Sequence, residues 1–408
     1  MLSILESLKS SLETAKQIAE DSKGTIKDNM DDLCDILEDE ILKSPSSEEE
    51  KKALLKRLRK FCNTETNIML VGATGCGKSS TINALFAVGE DMVPVEDKKT
   101  SQDEKTSEDK ETSEEEGSSE DEDSSKDEEN IDGAELRSGR PYFEVAKVGT
   151  TADPETRDIE KYRIGNLVLW DTPGLGDGTE IDEHHRDVIT ELLRKKDEDG
   201  NALIDLVLVI LDGSTKDLGT SYKLLNDVII PELKGDTPRI LIALNQADIA
   251  MKTGRHWDFE KNEPDETLVK YLEDKVQSIR VRIKEDSGLD IKPVYYCAGY
   301  EEENGDVVRP YNLSKLLYYI MRSLPAQKRV AVMEGINTDS GNYEHNDDEE
   351  DYNEGIKDSF CDSVDCISKA VDSGAEIGET LLGIPGAIVG AIIGGVVGCV
   401  KSILDDIF

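Results

Sequence analysis

Positive charge is scarce in this chain. Its 408 residues carry 48 Lys and Arg against 89 Asp and Glu, a formal net charge of −41. A surface of that sign repels phosphate backbones and anionic lipid headgroups at long range, which argues against direct nucleic-acid binding. Histidine is scarcer still. Four residues, of which His184 and His185 are adjacent, are too few to build much of a metal site. The seven cysteines (Cys34, Cys62, Cys76, Cys297, Cys361, Cys366, Cys399) are odd in number and contain no CxxC pair. They read as reduced thiols in a cytoplasmic setting, not as a disulfide framework or a zinc site. No secretory leader is expected, because "MLSILESLKSSLETAK" interrupts its apolar residues with charge every few positions.

What is present falls into blocks. Residues 1–62 read as a helical N-terminal region. Leu2, Ile4, Leu5, Leu8 and Leu12 recur at helical spacing, "MDDLCDILEDEIL" supplies a second apolar stripe, and "EEKKALLKRLRKF" a third after a break where Ser47 can cap. Then "NIMLV" is a short apolar run without helical spacing, followed at once by glycine, the mark of a buried strand entering a turn. Further strand candidates at 166–171, 203–212, 239–245 and 292–299 alternate with helical stretches near 181–196, 218–230, 264–286 and 312–323. That alternation predicts an α/β fold with a mostly parallel sheet covered on both faces, over residues 63–330. Inside it, "DKKTSQDEKTSEDKETSEEEGSSEDEDSSKDEEN" has no large apolar residue to offset its ordering entropy, so 97–138 reads as a disordered acidic insertion. Residues 331–356 read as an acidic linker and 357–408 as a C-terminal helical segment.

Chemistry concentrates at the predicted strand ends. The first strand runs into Gly72, Ala73, Thr74, Gly75, Cys76, Gly77, Lys78 and Ser79, with Ser80 next: GxxxxGKS between a strand and a helix. Such glycines let backbone N–H groups curl round a β-phosphate, with a helix N-terminus behind them. Lys78 then reaches the β- and γ-phosphates, and the Ser79 hydroxyl binds Mg²⁺. Asp171-Thr-Pro-Gly174 ends the strand "NLVLW". Asp171 is placed to hold Mg²⁺ through a water, and the Gly174 N–H to sense the γ-phosphate, although DTPG alone is an ordinary turn. Asn245-Gln246-Ala247-Asp248 ends the strand "RILIAL". The Asp248 carboxylate can accept from guanine N1–H and N2–H, a donor pair that adenine lacks, while Asn245 braces the loop. Cys297-Ala298-Gly299 closes another strand, where the Ala298 N–H is expected at guanine O6. A histidine near a γ-phosphate can position water, but His184 and His185 read first as surface or core residues.

These four elements resemble those of the translation-factor-related (TRAFAC) class of P-loop GTPases, within the Era-like group. The wording "GATGCGKSSTINALF … LVLWDTPGLGD … LIDLVLVILDG … NQAD … YYCAGY … RPYNLSKLL" is similar to a little-characterised bacterial family of Era-like GTPases, over roughly residues 50–330. The resemblance implies a Ras-like G domain that binds GTP with Mg²⁺ and hydrolyses it. Thr156, in "VGTTADPETRDIEKY", is the favoured switch threonine, with its hydroxyl on Mg²⁺ and its N–H on the γ-phosphate; Thr150 and Thr151 are the alternatives. The chain departs from the pattern where Gln246 replaces the usual Lys and where Cys297 and Gly299 replace Ser and Lys. It departs again at Leu175, which stands where Ras-like proteins carry a water-orienting glutamine, so intrinsic turnover is expected to be slow.

The one long apolar run comes last. From Leu381 to Val400, twenty residues carry no charge, and Gly386, Gly390, Gly394 and Gly398 recur every fourth position. As a helix this stretch spans about 30 Å, the thickness of a hydrocarbon core, and its glycine face admits a second helix closely. The expectation is a GTP-hydrolysing switch coupled to a membrane, or to a second copy of itself, through a glycine-zipper segment. Two other functions compete: a ribosome- or RNA-associated assembly GTPase, and a nucleotide-gated scaffold with negligible turnover. A buried helix packed on the N-terminal helices is the competing reading of the tail.

Overall fold

A computed structural model of the chain describes residues 26–43, 47–86, 159–176, 179–253, 256–301, 307–372 and 400–408. A six-stranded sheet organises it. The strands are β1 (Thr66–Gly72), β2 (Glu160–Ile164), β3 (Leu167–Asp171), β4 (Leu206–Asp212), β5 (Ile240–Asn245) and β6 (Val294–Tyr295). Their spatial order is β2-β3-β1-β4-β5-β6, and every pairing is parallel except that of β2 with β3. β1 lies between β3 and β4 and is buried along its whole length, which is why it reads as an unbroken apolar run.

Alternation along the strands divides the core in two. Ile68 and Leu70 of β1, Leu167 and Leu169 of β3, and Leu206, Leu208 and Ile210 of β4 face one side. Met69 and Val71, Val168 and Trp170, and Val207, Val209 and Leu211 face the other. The second face is covered by α4 (Thr179–Arg194), by α5 (Gly219–Leu224) with the π-turn Leu225–Ile229 that continues it, and by α6 (Glu266–Ser287). α6 shows how local chemistry sets an element's limits. The Asp265 side chain accepts from the Thr267 and Leu268 N–H groups at its start, and Gly288, at φ 77°, ends it.

The first face carries more. α1 (Ile26–Lys43), α2 (Glu48–Cys62), α3 (Lys78–Leu85), α7 (Leu313–Ser323), α8 (Ala326–Glu334), α9 (Tyr352–Asp372) and the last helical turns, 400–407, all contribute to it. Leu33 and Leu37 of α1 and Leu54 and Leu58 of α2 place the two N-terminal helices directly on this core.

Three expectations change here. Residues 331–356 are not a free linker. Val332, Met333, Ile336, Tyr343 and Tyr352 are buried, and the acidic run is pinned by the buried Lys315, whose Nζ donates to Asp347 at 2.6 Å and to Glu349 at 2.8 Å. A run dense in carboxylates reads as solvated until a buried cation comes to meet it. The cysteines are not all reduced: Cys34 of α1 and Cys62, the last residue of α2, form a disulfide, because the two helices pack as a hairpin that brings them together. The end of the C-terminal segment is core: Val400, Leu404 and Ile407 are buried. The acidic insertion 97–138 and the glycine-rich run up to residue 399 lie outside the described residues. Among the described residues no helix is long and apolar enough to cross a membrane.

Candidate nucleotide-binding site

The carboxyl ends of β1, β3, β4 and β5 lie along one edge of the sheet, where open α/β folds bind ligands. The loop after β1 curls there because Gly75 and Gly77 adopt φ 76° and 90°. A Cβ on Gly77 would lie 2.1 Å from Asn245 Nδ2, so the close approach needs glycine for space as well as for conformation. Among the described residues no side chain caps the start of α3. Its first-turn N–H groups therefore have no competing side-chain acceptor there, the arrangement that suits an anion. Lys78 is buried and its Nζ donates to the Ala73 carbonyl at 3.3 Å, which holds the ammonium against the loop.

Ser79 Oγ donates to Asp171 Oδ2 at 2.7 Å. Asp171 is only 1% exposed, and among the described residues its other oxygen, Oδ1, has no hydrogen-bond partner. Burial pushes its carboxyl up to about 6; Lys78 and Ser79 pull it back, and Glu160 adds to the rise. A buried carboxylate with an orphaned oxygen beside a serine hydroxyl is a hard oxygen donor set, which fits Mg²⁺.

The DTPG turn docks on the same loop. Thr172 Oγ1 donates to the Leu70 carbonyl at 2.8 Å. Leu175 N–H donates to Gly72 O at 3.3 Å, and Thr74 N–H to Leu175 O at 3.0 Å. Gly174 lies so close that a Cβ there would stand 2.6 Å from Thr74 Cα. Leu175 itself is buried in the second core and presents no polar group. His185 is buried, and its Nδ1 lies 2.8 Å from the Gly174 carbonyl. A carbonyl only accepts, so Nδ1 carries the proton and His185 braces the turn, whereas His184 is exposed.

Asn245 ties the site together. Its Nδ2 donates to the Cys76 carbonyl at 3.0 Å and its Oδ1 accepts from the Ala298 N–H at 3.0 Å. The Ala298 N–H, expected at a guanine oxygen, is thus directed at Asn245 in this structure, because a buried N–H needs a partner. Gln246, at φ 60°, reaches back to donate to Gly75 O at 3.0 Å. Asp248 is buried near the Cys297 thiol; burial raises the carboxyl, and burial together with the Asp248 charge raises the thiol.

Gly72 to Ser80, Asp171, Gly174, Asn245, Gln246, Asp248, Cys297 and Ala298 all fall at this edge or on the loops joined to it. Thr156, Thr150 and Thr151 lie outside the described residues. Three contributors were not singled out from sequence. Gly213 donates its N–H to Asn245 O at 2.7 Å, and a Cβ there would sit 2.3 Å from that oxygen; a glycine closing "LVLVILDG" was the available signal. Tyr296 OH lies 2.6 Å from Thr81 Oγ1 and links the strand end to α3. Glu160 pairs with Asp171 across β2 and β3.

Sheet order and loop geometry together are those of an α/β fold with a phosphate-binding-type loop at its carboxyl edge. No family model matches the chain, and no curated protein matches it. Among solved structures, the G domain of the T. maritima FeoB iron transporter is similar at 17% identity over 64% of this chain and 98% of that one, with a TM-score of 0.27. A GDP-bound mutant of S. thermophilus NFeoB is similar at 12% identity over 81% and 99%, TM-score 0.23. An oligomerised bacterial dynamin pair, described as sensing and tethering membranes, is similar at 16% identity and a TM-score of 0.35, and this chain covers 48% of it. At such scores none of them bears on activity.

Proposed function

We propose that this chain binds GTP and GDP with Mg²⁺ and works as a slowly hydrolysing GTP switch. The observation that carries the proposal is the Asn245 bridge, which joins the phosphate-type loop at Cys76 to the strand end bearing Cys297 and Ala298, beside Asp248. Loop N–H groups cradle the phosphates, and Lys78 exchanges its Ala73 carbonyl for phosphate oxygens. Asp248 accepts from the guanine N1–H and N2–H edge. Ser79 and Asp171 would hold Mg²⁺, which when bound neutralises charge developing on the phosphates. Thr156 is proposed as the switch threonine. Leu175 cannot orient water, so the basal rate is low, and a charge supplied by a partner or a second protomer raises it.

The uncharged run 381–400 supports a second element of the proposal, association with a membrane from the cytoplasmic side or with another copy of the chain. Cosedimentation with liposomes in GTP and in GDP tests it; a chain that stays in solution as a monomer under every condition removes this element.

For the nucleotide, isothermal titration of the full chain with GTP, GDP and ATP is the direct test. GTP is expected to bind on the order of 10⁴-fold more tightly than ATP, because adenine leaves a buried acceptor unpaired. Lys78→Ala abolishes binding, and Asp248→Asn shifts preference toward xanthine nucleotides. Equal affinity for GTP and ATP would sink the assignment of Asp248.

A further inference from the structure

We propose that Glu160 belongs to the cation site, where its carboxylate faces Asp171 across the β2–β3 pair and accepts a hydrogen bond from a water on the bound divalent ion. This rests on the GTPase reading above and extends it to a residue outside every nucleotide-binding motif in the chain.

Glu160 is the direct antiparallel partner of Asp171, and Tyr162 is the partner of Leu169. Directly opposed residues share a face of the sheet, so Glu160 and Asp171 stand side by side on the face that also carries α3 and Ser79. Like charges directly opposed across two strands are destabilising. The chain nevertheless places two carboxylates there and fixes one of them, since the Tyr162 hydroxyl donates to Glu160 Oε2.

The second observation is independent of Glu160. Asp171 is 1% exposed, its Oδ2 is used by Ser79, and its Oδ1 has no partner among the described residues. A buried oxygen without a donor is aimed at something that can supply positive charge or a proton. Mg²⁺ keeps several waters and is bound through one or two carboxylates together with phosphate oxygens. Asp171 and the Ser79 hydroxyl supply the oxygen donors, and the Glu160 carboxylate on the same face supplies an acceptor for one of the waters the ion keeps. The cation also removes the repulsion that the strand register imposes.

The experiment is Mn²⁺ binding to the full-length protein–GDP complex, followed by the electron paramagnetic resonance signal of free Mn²⁺. GDP affinity in EDTA is measured alongside. Glu160→Gln keeps the shape and the acceptor for Tyr162 but removes the charge. It is expected to weaken Mn²⁺ binding about tenfold, in the range found for groups that orient metal ligands, and to leave GDP affinity in EDTA unchanged. Tyr162→Phe frees the carboxylate without removing it and gives a smaller loss in the same direction. Wild-type Mn²⁺ affinity in Glu160→Gln, to within about twofold, overturns the inference and leaves the GTPase reading standing. A wild-type chain that binds no GDP overturns both, so the two failures are distinguishable.

Discussion

Asn245 Nδ2 donates to the Cys76 carbonyl at 3.0 Å, so a strand-end amide holds the crown of the phosphate-type loop. The same side chain satisfies the Ala298 N–H through its oxygen. Asn245→Ala leaves a buried carbonyl and a buried N–H unpaired, at about 1–3 kcal/mol each. The expected result is a lower melting temperature and weaker binding of GDP and GTP alike. Asn245→Asp is worse, since a carboxylate can accept from Ala298 but repels the Cys76 carbonyl. Fluorescent-nucleotide titration of both variants checks the order.

Lys315 is the buried cation that anchors the segment after α8. Its Nζ serves Asp347 and Glu349 and lies 5.6 and 5.5 Å from the ring centroids of Tyr295 and Tyr352. Removing one partner of such a pair costs about 3–5 kcal/mol, because the other charge stays buried without compensation. Lys315→Met should lose that much in urea unfolding. Adding Asp347→Asn should restore part of it; a double variant as unstable as the sum of the two singles would mean the pair is uncoupled.

Stability should depend on pH through Glu334. Burial chiefly, and then the charge of Asp31, push its carboxyl up to about 7 from an ordinary 4.5, against the Asn166 N–H and Lys27. The folded chain therefore holds this proton more tightly than the unfolded chain. Stability is highest below about pH 4.5, falls as pH rises toward 7, and is level above it with respect to this group. Glu334→Gln mimics the protonated form. Its melting temperature should gain on the wild type between pH 5 and 8, and a constant offset would assign the pH dependence elsewhere.

The Cys34–Cys62 disulfide closes a separation of 28 residues. Chain-entropy arithmetic for that length gives about 3–4 kcal/mol. Cys62→Ser, or reduction, should lower unfolding stability by up to that amount. Nucleotide affinity should hold, since neither cysteine touches the phosphate-type loop.

Most of the central sheet was legible because parallel strands buried on both faces leave unbroken apolar runs, as in β1 and β4, and because GxxxxGKS carries its own geometry. Less legible were features that depend on partners far away in sequence. The acidic stretch before α9 looked like solvent-loving linker because Lys315 is visible only in space. Cys34 and Cys62 match no motif, so only helix packing pairs them. His185 looked like one histidine of two until the Gly174 carbonyl gave its ring a task, and Ala298 looked free for a base until Asn245 took its N–H.

The final turns of the chain set a topological condition on the tail. Val400, Leu404 and Ile407 are seated in the same core as Ile356 and Phe360 of α9. Asn353 donates to the Phe408 carbonyl at 3.2 Å, and the Phe408 ring meets Tyr343 at a centroid distance of 4.8 Å. Both anchors of the glycine-rich run thus belong to one body. With both seated, any excursion of that run is a round trip, leaving and returning on the same side. A single one-way crossing of a bilayer requires residues 400–408 to leave that core first, baring Val400, Leu404 and the Tyr343–Phe408 contact.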